Sequence, residues 1–263
     1  MQTVTSNDGT AIAFDTFGSG PPLILVGGAI ATRAAAGSAA RLLGEHFTVY
    51  AYDRRGRGDS GDTLPYAVER EIEDLAALIE ESGGAAYVFG HSSGAVLSLR
   101  AAARGLAITK LAVYEPPFIV DDSRPPVPDN FVTHLDELIA AGRRSDALTY
   151  FMTAAVGMPE EAVAGMREGP MWESSAAVAH TLAYDGRIMS GLMSSKPLAR
   201  EPWSAIAVPT LVIDGGASEP FMHSGADALA AHVPHAQRTT LADQDHGPAD
   251  DVLMPVLVDF FAG

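Results

Sequence analysis

A serine set between two glycines, in Gly90-His91-Ser92-Ser93-Gly94, is the stretch of this sequence best suited to chemistry. A free hydroxyl is a poor nucleophile at neutral pH. Such a serine therefore needs a base to take its proton, a carboxylate to steady that base, and N–H donors for the charge that develops on an attacked carbonyl. The chain offers eight histidines as bases. His91 adjoins the serine and is expected to point away from it. His134 and His180 fall in a helical stretch, and His46, His223, His232 and His235 read as surface residues. His246 lies in the polar loop Asp243-Gln244-Asp245-His246-Gly247-Pro248, and Glu115, Asp214, Glu219 and Asp245 are carboxylates close to the ends of apolar runs. The Gly-x-Ser-x-Gly pattern alone is a weak signal, and its weight depends on the elements that flank it.

Those elements are a strand and a helix. Ala85-Ala86-Tyr87-Val88-Phe89 is a short apolar run rich in β-formers, and Ala95-Val96-Leu97-Ser98-Leu99 resumes as helical sequence, so Ser92 is predicted on a sharp strand-to-helix turn. Upstream, Thr3–Thr5 and Ala11–Phe17 alternate apolar and polar about Asp8-Gly9, a hairpin signal. Leu23-Ile24-Leu25-Val26 is a continuous apolar run of the kind covered on both faces, ending at Gly27-Gly28-Ala29. Residues 34–43 read as a helix, Phe47–Tyr52 as a strand, and Val68–Ile79 as a helix with apolar residues at helical spacing. Ile108–Tyr114 is a strand that stops at Glu115-Pro116-Pro117. Strands then disappear over residues 121–201, where helices are predicted at Phe131–Ala141, Asp146–Val156 and Ala176–Met193. The strand pattern returns at Pro209–Gly216 and Ala236–Leu241, with helices near Ala226–Ala231 and Val252–Phe261. Strands alternating with helices imply a mostly parallel sheet. The predicted organisation is a core of residues 1–120 and 202–263 with a helical cap, 121–201, inserted after the sixth strand.

Composition narrows the function. At 263 residues with 47% hydrophobic and 19% charged residues, the chain is globular and long enough for a substantial core. Seventeen Lys and Arg against 33 Asp and Glu give a net charge of −16, which disfavours nucleic acid and anionic membrane surfaces as partners. With no cysteine there are no disulfides, thiolate nucleophiles or thiolate metal sites. No signal peptide is visible at the N-terminus, and no apolar run approaches the ~20 residues that span a bilayer, so a soluble cytoplasmic protein acting on a small molecule is expected. The sequence carries no signal of oligomeric state.

The Gly-His-Ser-Ser-Gly turn, the pattern Asp53-x-Arg55-Gly56-x-Gly58-x-Ser60, the Leu23–Ala29 strand and turn, and His246 ahead of a C-terminal helix together resemble the α/β-hydrolase family. The resemblance covers nearly the whole chain apart from the cap. It implies an eight-stranded, mostly parallel sheet flanked by helices, with Ser92 as nucleophile and His246 as base. It places oxyanion donors at the backbone of Ser93 and Ala29, with Gly27 standing where the family usually has histidine. The acid departs from the pattern, because the position three residues beyond Gly215 is Ser218, which cannot supply charge. Some members place the acid after the strand that follows the elbow helix, which here is Glu115. Asp214 and Glu219 are the alternatives.

The resemblance thus implies hydrolysis of an ester, lactone or thioester through an acyl-enzyme, with no cofactor and no metal. A serine at 92 argues against relatives that use an aspartate nucleophile. Six of the nine methionines fall in the cap, and these with Phe131, Phe151, Trp172 and Tyr184 suggest an apolar pocket or simply the cap's own core. Met152, Trp172 and Met189 are the expected substrate contacts. Lyase, cyclase or acyltransferase chemistry on the same fold, or a binding protein with weakened catalysis, are the other readings.

Overall fold

The computed structural model describes residues Met1–Gly263, and its centre is one eight-stranded sheet. The strands are β1 (Gln2–Thr5), β2 (Ala11–Phe17), β3 (Pro22–Val26), β4 (Thr48–Tyr52), β5 (Ala86–His91), β6 (Ile108–Tyr114), β7 (Thr210–Gly215) and β8 (Ala236–Leu241). Their spatial order is β1-β2-β4-β3-β5-β6-β7-β8, antiparallel from β1 to β4 and parallel thereafter. Helices α1 (Gly37–Leu43), α2 (Val68–Glu81) and α3 (Ser93–Ala103) precede β6. Between β6 and β7 come α4 (Phe131–Ala140), α5 (Arg144–Tyr150), α6 (Glu160–Met166), α7 (Trp172–Ala177) and α8 (Leu182–Ile188), and α9 (Pro220–His232) and α10 (Asp250–Ala262) complete the chain.

The continuous apolar strands are explained by two cores. Alternate residues of a strand face opposite sides of a sheet. Ile24, Val26, Val88, Val113 and Val212 join one cluster with buried residues of α2, α3 and α9. Leu23, Leu25, Ala112, Leu211 and Ile213 join another with those of α1 and α10. Because β3 to β8 run parallel, the segments after Val26, Tyr52, His91, Tyr114, Gly215 and Leu241 emerge at one edge of the sheet, where open α/β sheets bind ligands.

The helices between β6 and β7 pack about a separate cluster that includes Phe131, Leu135, Leu148, Met152, Trp172 and Leu182. Their boundaries differ from the predicted ones. The run expected as one helix over Asp146–Val156 is α5 followed by a π-helical turn, Phe151–Val156. There the Thr153 hydroxyl donates back to the carbonyls of Thr149 and Tyr150, competing with the regular ladder. The run Ala176–Met193 is divided among the end of α7, a short 3-10 turn at Ala179–Thr181, and α8, while α6 lies outside every predicted segment. Thr181 is pinned by a hydrogen bond from Arg57 Nε of the core, a tertiary contact invisible to periodicity. No helix is long and apolar enough to cross a membrane.

Candidate active site

Ser92 occupies the tight turn between β5 and α3 with φ 56° and ψ −126°, a conformation that costs a non-glycine residue about 1–3 kcal/mol. Its amide donates to the Tyr114 carbonyl at 2.9 Å, tying the turn to the end of β6. The glycines make this packing feasible. A Cβ on Gly94 would lie 2.3 Å from the Val26 carbonyl oxygen, and one on Gly28 would lie 2.9 Å from Ser92 Cβ. The end of β3 therefore abuts the turn directly, and the Ser92 side chain borders a cavity of about 780 Å³.

Bordering the same cavity, His246 Nδ1 meets Glu115 Oε2 at 2.7 Å. Glu115, at φ 45° immediately after β6, has a fully buried side chain, whereas that of His246 is 43% exposed. The other carboxylate oxygen, Oε1, accepts from the Gly215 amide at 2.7 Å and from Ser218 Oγ at 2.6 Å. Burial alone raises a carboxyl pKa, but the hydrogen bonds from His246, Ser218 and Gly215 outweigh it and hold Glu115 below its ordinary value. Ser218, at the position where the acid was sought, is thus a donor to the acid from another strand. The His246 loop is fixed from beneath as well. The Tyr114 hydroxyl donates to the Asp245 carbonyl, and His91 Nε2 lies 2.9 Å from the His246 carbonyl oxygen. Burial, reinforced by the adjacent His246, pushes the His91 imidazole down to about 4, so it stays neutral and donates from Nε2.

The opposite flank of Ser92 is held by ions. Arg54 pairs through two hydrogen bonds with Glu71, at 2.6 and 2.8 Å, and reaches Asp185 of α8 at 2.8 Å. Asp185 also accepts from Arg57 at 2.7 Å and from the Ser93 hydroxyl at 2.7 Å. Arg57 Nη1 donates to the Gly28 carbonyl, and Arg54 Nη1 lies 3.3 Å from the Gly27 carbonyl oxygen. All four charged side chains are buried. Two guanidiniums and two carboxylates balance, and they grip the loop carrying Ala29 together with the first residue of α3. The Ala29 amide donates to no backbone carbonyl, and Ser93 opens α3, whose first amides lack intrahelical acceptors. Both residues border the cavity.

The remaining candidates fall in distinct places. Asp214 is buried, bound by Arg238 of β8 at 2.6 and 2.7 Å and by His223 of α9, and does not border the cavity. Glu219 is exposed on the cavity rim. Met189, Phe131 and Phe151 line the cavity. Met152 and Trp172 do not: they pack in the core of the helical insertion and border a separate hollow of about 200 Å³. A small helical unit must bury its own apolar face, and Trp172 satisfies its indole N–H on Ser145 Oγ at 2.8 Å. Tyr184 likewise stacks on Tyr66, with ring centroids 3.8 Å apart, and donates to Asp62. His134 is exposed on α4, and His180 packs beside Gly56. Sequence reasoning missed Arg54, Arg57, Glu71 and Asp185. The available signal was three arginines within Arg54-Arg55-Gly56-Arg57, a density that requires acids nearby.

Comparisons with known proteins agree with this architecture. A profile of the alpha/beta hydrolase family matches residues 18–256. The solved structure of an alpha/beta hydrolase from Sphaerobacter thermophilus superposes with a TM-score of 0.93 at 58% identity, covering 99% of this chain and 100% of the other. An N-formylmaleamate deformylase of Pseudomonas putida is 38% identical over 104 residues, 38% of this chain and 39% of the deformylase, so the chain spans well under half of that relative. The enol-lactonase of Burkholderia xenovorans shares the fold, with a TM-score of 0.73 at 22% identity over the full length of both chains.

Proposed function

The chain belongs to the alpha/beta hydrolase family, and within it we propose a serine hydrolase that cleaves an ester-like bond of a small substrate through Ser92, His246 and Glu115. The observation that carries this reading is the bond between His246 Nδ1 and a buried Glu115 carboxylate, bordering the same cavity as Ser92.

In the proposed reaction His246 Nε2 takes the Ser92 proton as Oγ bonds to the substrate carbonyl carbon, and the carbonyl electron pair moves onto oxygen. Glu115 keeps the Nδ1–H tautomer and stabilises the imidazolium that forms. The amides of Ala29 and Ser93 hold the oxyanion. Collapse of the intermediate breaks the bond to the leaving group, which carries away the proton from His246 and leaves an acyl-Ser92. Water then repeats the sequence, deprotonated by His246, and releases the acid with Ser92 restored. The cavity volume of about 780 Å³ suits a small molecule, and Phe131, Phe151 and Met189 supply apolar walls.

Ser92→Ala should abolish hydrolysis of 4-nitrophenyl esters and labelling by a fluorophosphonate, and persistent labelling rejects the nucleophile. Heavy oxygen from solvent water should appear in the product acid. Turnover without that incorporation would assign lyase or acyltransferase chemistry instead, and binding without turnover or labelling would make this a binding protein.

A further inference from the structure

Two cations lining the cavity, Arg124 and Lys196, are left over from everything described so far, and Arg124 is the one held in place. Arg124 lies in Arg124-Pro125-Pro126-Val127-Pro128, between β6 and α4, where prolines restrict the backbone. Its guanidinium is braced rather than free. One nitrogen donates to the Ala155 carbonyl at 2.7 Å, and the group stacks over the Phe221 ring with Cζ 4.8 Å from the centroid. Ser195 Oγ donates to the Arg124 carbonyl at 3.0 Å, fixing the backbone.

These contacts position the charge without neutralising it. Arg33, Arg54, Arg55, Arg57 and Arg238 each pair with at least one carboxylate, whereas no carboxylate comes within ion-pair distance of Arg124. Acids are not scarce in a chain holding 33 Asp and Glu against 17 Lys and Arg. Glu219, exposed on the same rim, acts on Arg124 only from beyond that distance. A braced, partly buried guanidinium with open donors, facing the same cavity as Ser92, is suited to receiving a carboxylate through two parallel hydrogen bonds.

We propose that Arg124 anchors a free carboxylate of the substrate, so that the preferred substrate is an ester-like compound carrying a second, unesterified carboxyl group. The inference rests on the serine-hydrolase reading and adds the substrate class to it. Lys196, which also lines the cavity, adds positive potential. Asp129, Glu219 and Asp245, which line the same cavity, and the net charge of −16, disfavour a dianionic phosphate relative to a single carboxylate.

The test compares mono-4-nitrophenyl esters of succinate, glutarate and adipate with uncharged 4-nitrophenyl pentanoate. At least one hemiester should exceed the uncharged ester in kcat/KM, and Arg124→Met should lower that ratio roughly 10- to 100-fold, with Arg124→Lys falling between. Both rates come from one preparation, so loss of folded protein cancels in the ratio. A wild-type preference for the uncharged ester, or a parallel fall of both rates in Arg124→Met, overturns the anchor while leaving the hydrolase reading intact. If no ester is hydrolysed, the hydrolase reading fails. Calorimetry of glutarate with the Ser92→Ala protein then decides the anchor alone: binding that Arg124→Met abolishes supports it, and no binding rejects it.

Discussion

The two flanks of Ser92 are built on different principles. On the side of His246, the proposed base, a side chain 43% exposed rests on one buried carboxylate, a phenol and a neutral imidazole, all supplied by the ends of β5 and β6. On the side of the proposed oxyanion site, four buried charges from the loop after β4, from α2 and from α8 hold the backbone of Gly27 and Gly28. The first arrangement orients an imidazole and leaves it open to solvent. The second fixes a backbone and shields it from water. Orienting a base requires one well-placed charge, whereas holding a loop whose side chains are glycine and alanine requires outside groups that reach its carbonyls.

The largest test of that contrast removes the base. His246→Ala should lower activity by about 10⁴- to 10⁶-fold while leaving the melting temperature close to wild type, since a half-exposed side chain contributes little packing. A large stability loss would show the base side to be as structural as its counterpart. Glu115→Gln comes next, with a fall of about 10³- to 10⁴-fold in kcat, because the amide preserves shape but removes the charge that stabilises the imidazolium. Asp214→Asn and Glu219→Gln, measured beside it, should cost far less. If either matches Glu115→Gln, the acid is misassigned.

On the oxyanion side Asp185→Ala should behave in the opposite sense to His246→Ala. It strands Arg54 and Arg57 with one carboxylate between them, and the expected loss is about 3–5 kcal/mol in denaturant unfolding, accompanied by reduced kcat. An unchanged midpoint would mean that water reaches the cluster. The smallest effect concerns acid. His91 has its folded pKa depressed to about 4 from 6.5, so the unfolded chain binds the extra proton and stability falls as pH drops between those values. The loss is at most about 3 kcal/mol, and His91→Gln should flatten that slope. Glu115 adds its own loss at lower pH, as its depressed carboxyl becomes protonated.

Much of this was legible in the sequence, and what was not has a common cause. The strands announced themselves as unbroken apolar runs because both faces are covered, and the turn at Ser92 because Gly94 must clear the Val26 carbonyl. His246 and Glu115 could be placed together through the family resemblance, because Glu115 directly follows β6 and His246 lies in the loop between β8 and α10, although they are 131 residues apart. Arg54 and Asp185 are also separated by 131 residues, but Asp185 sits within a short helix, where an acid reads as solvent-facing. Met152 and Trp172 were assigned to the wrong cavity because an apolar side chain does not declare which hollow it faces. The breaks at Tyr150 and Val178 carry no proline or glycine to mark them.

Asp185 also bears on modularity. The helices between β6 and β7 have their own core and look transplantable, yet one of their side chains completes a charge balance inside the sheet domain. A chimera that grafts a relative's helices onto this scaffold must bring a carboxylate to the same point. Without one, the graft alters the nucleophile's surroundings before it alters specificity.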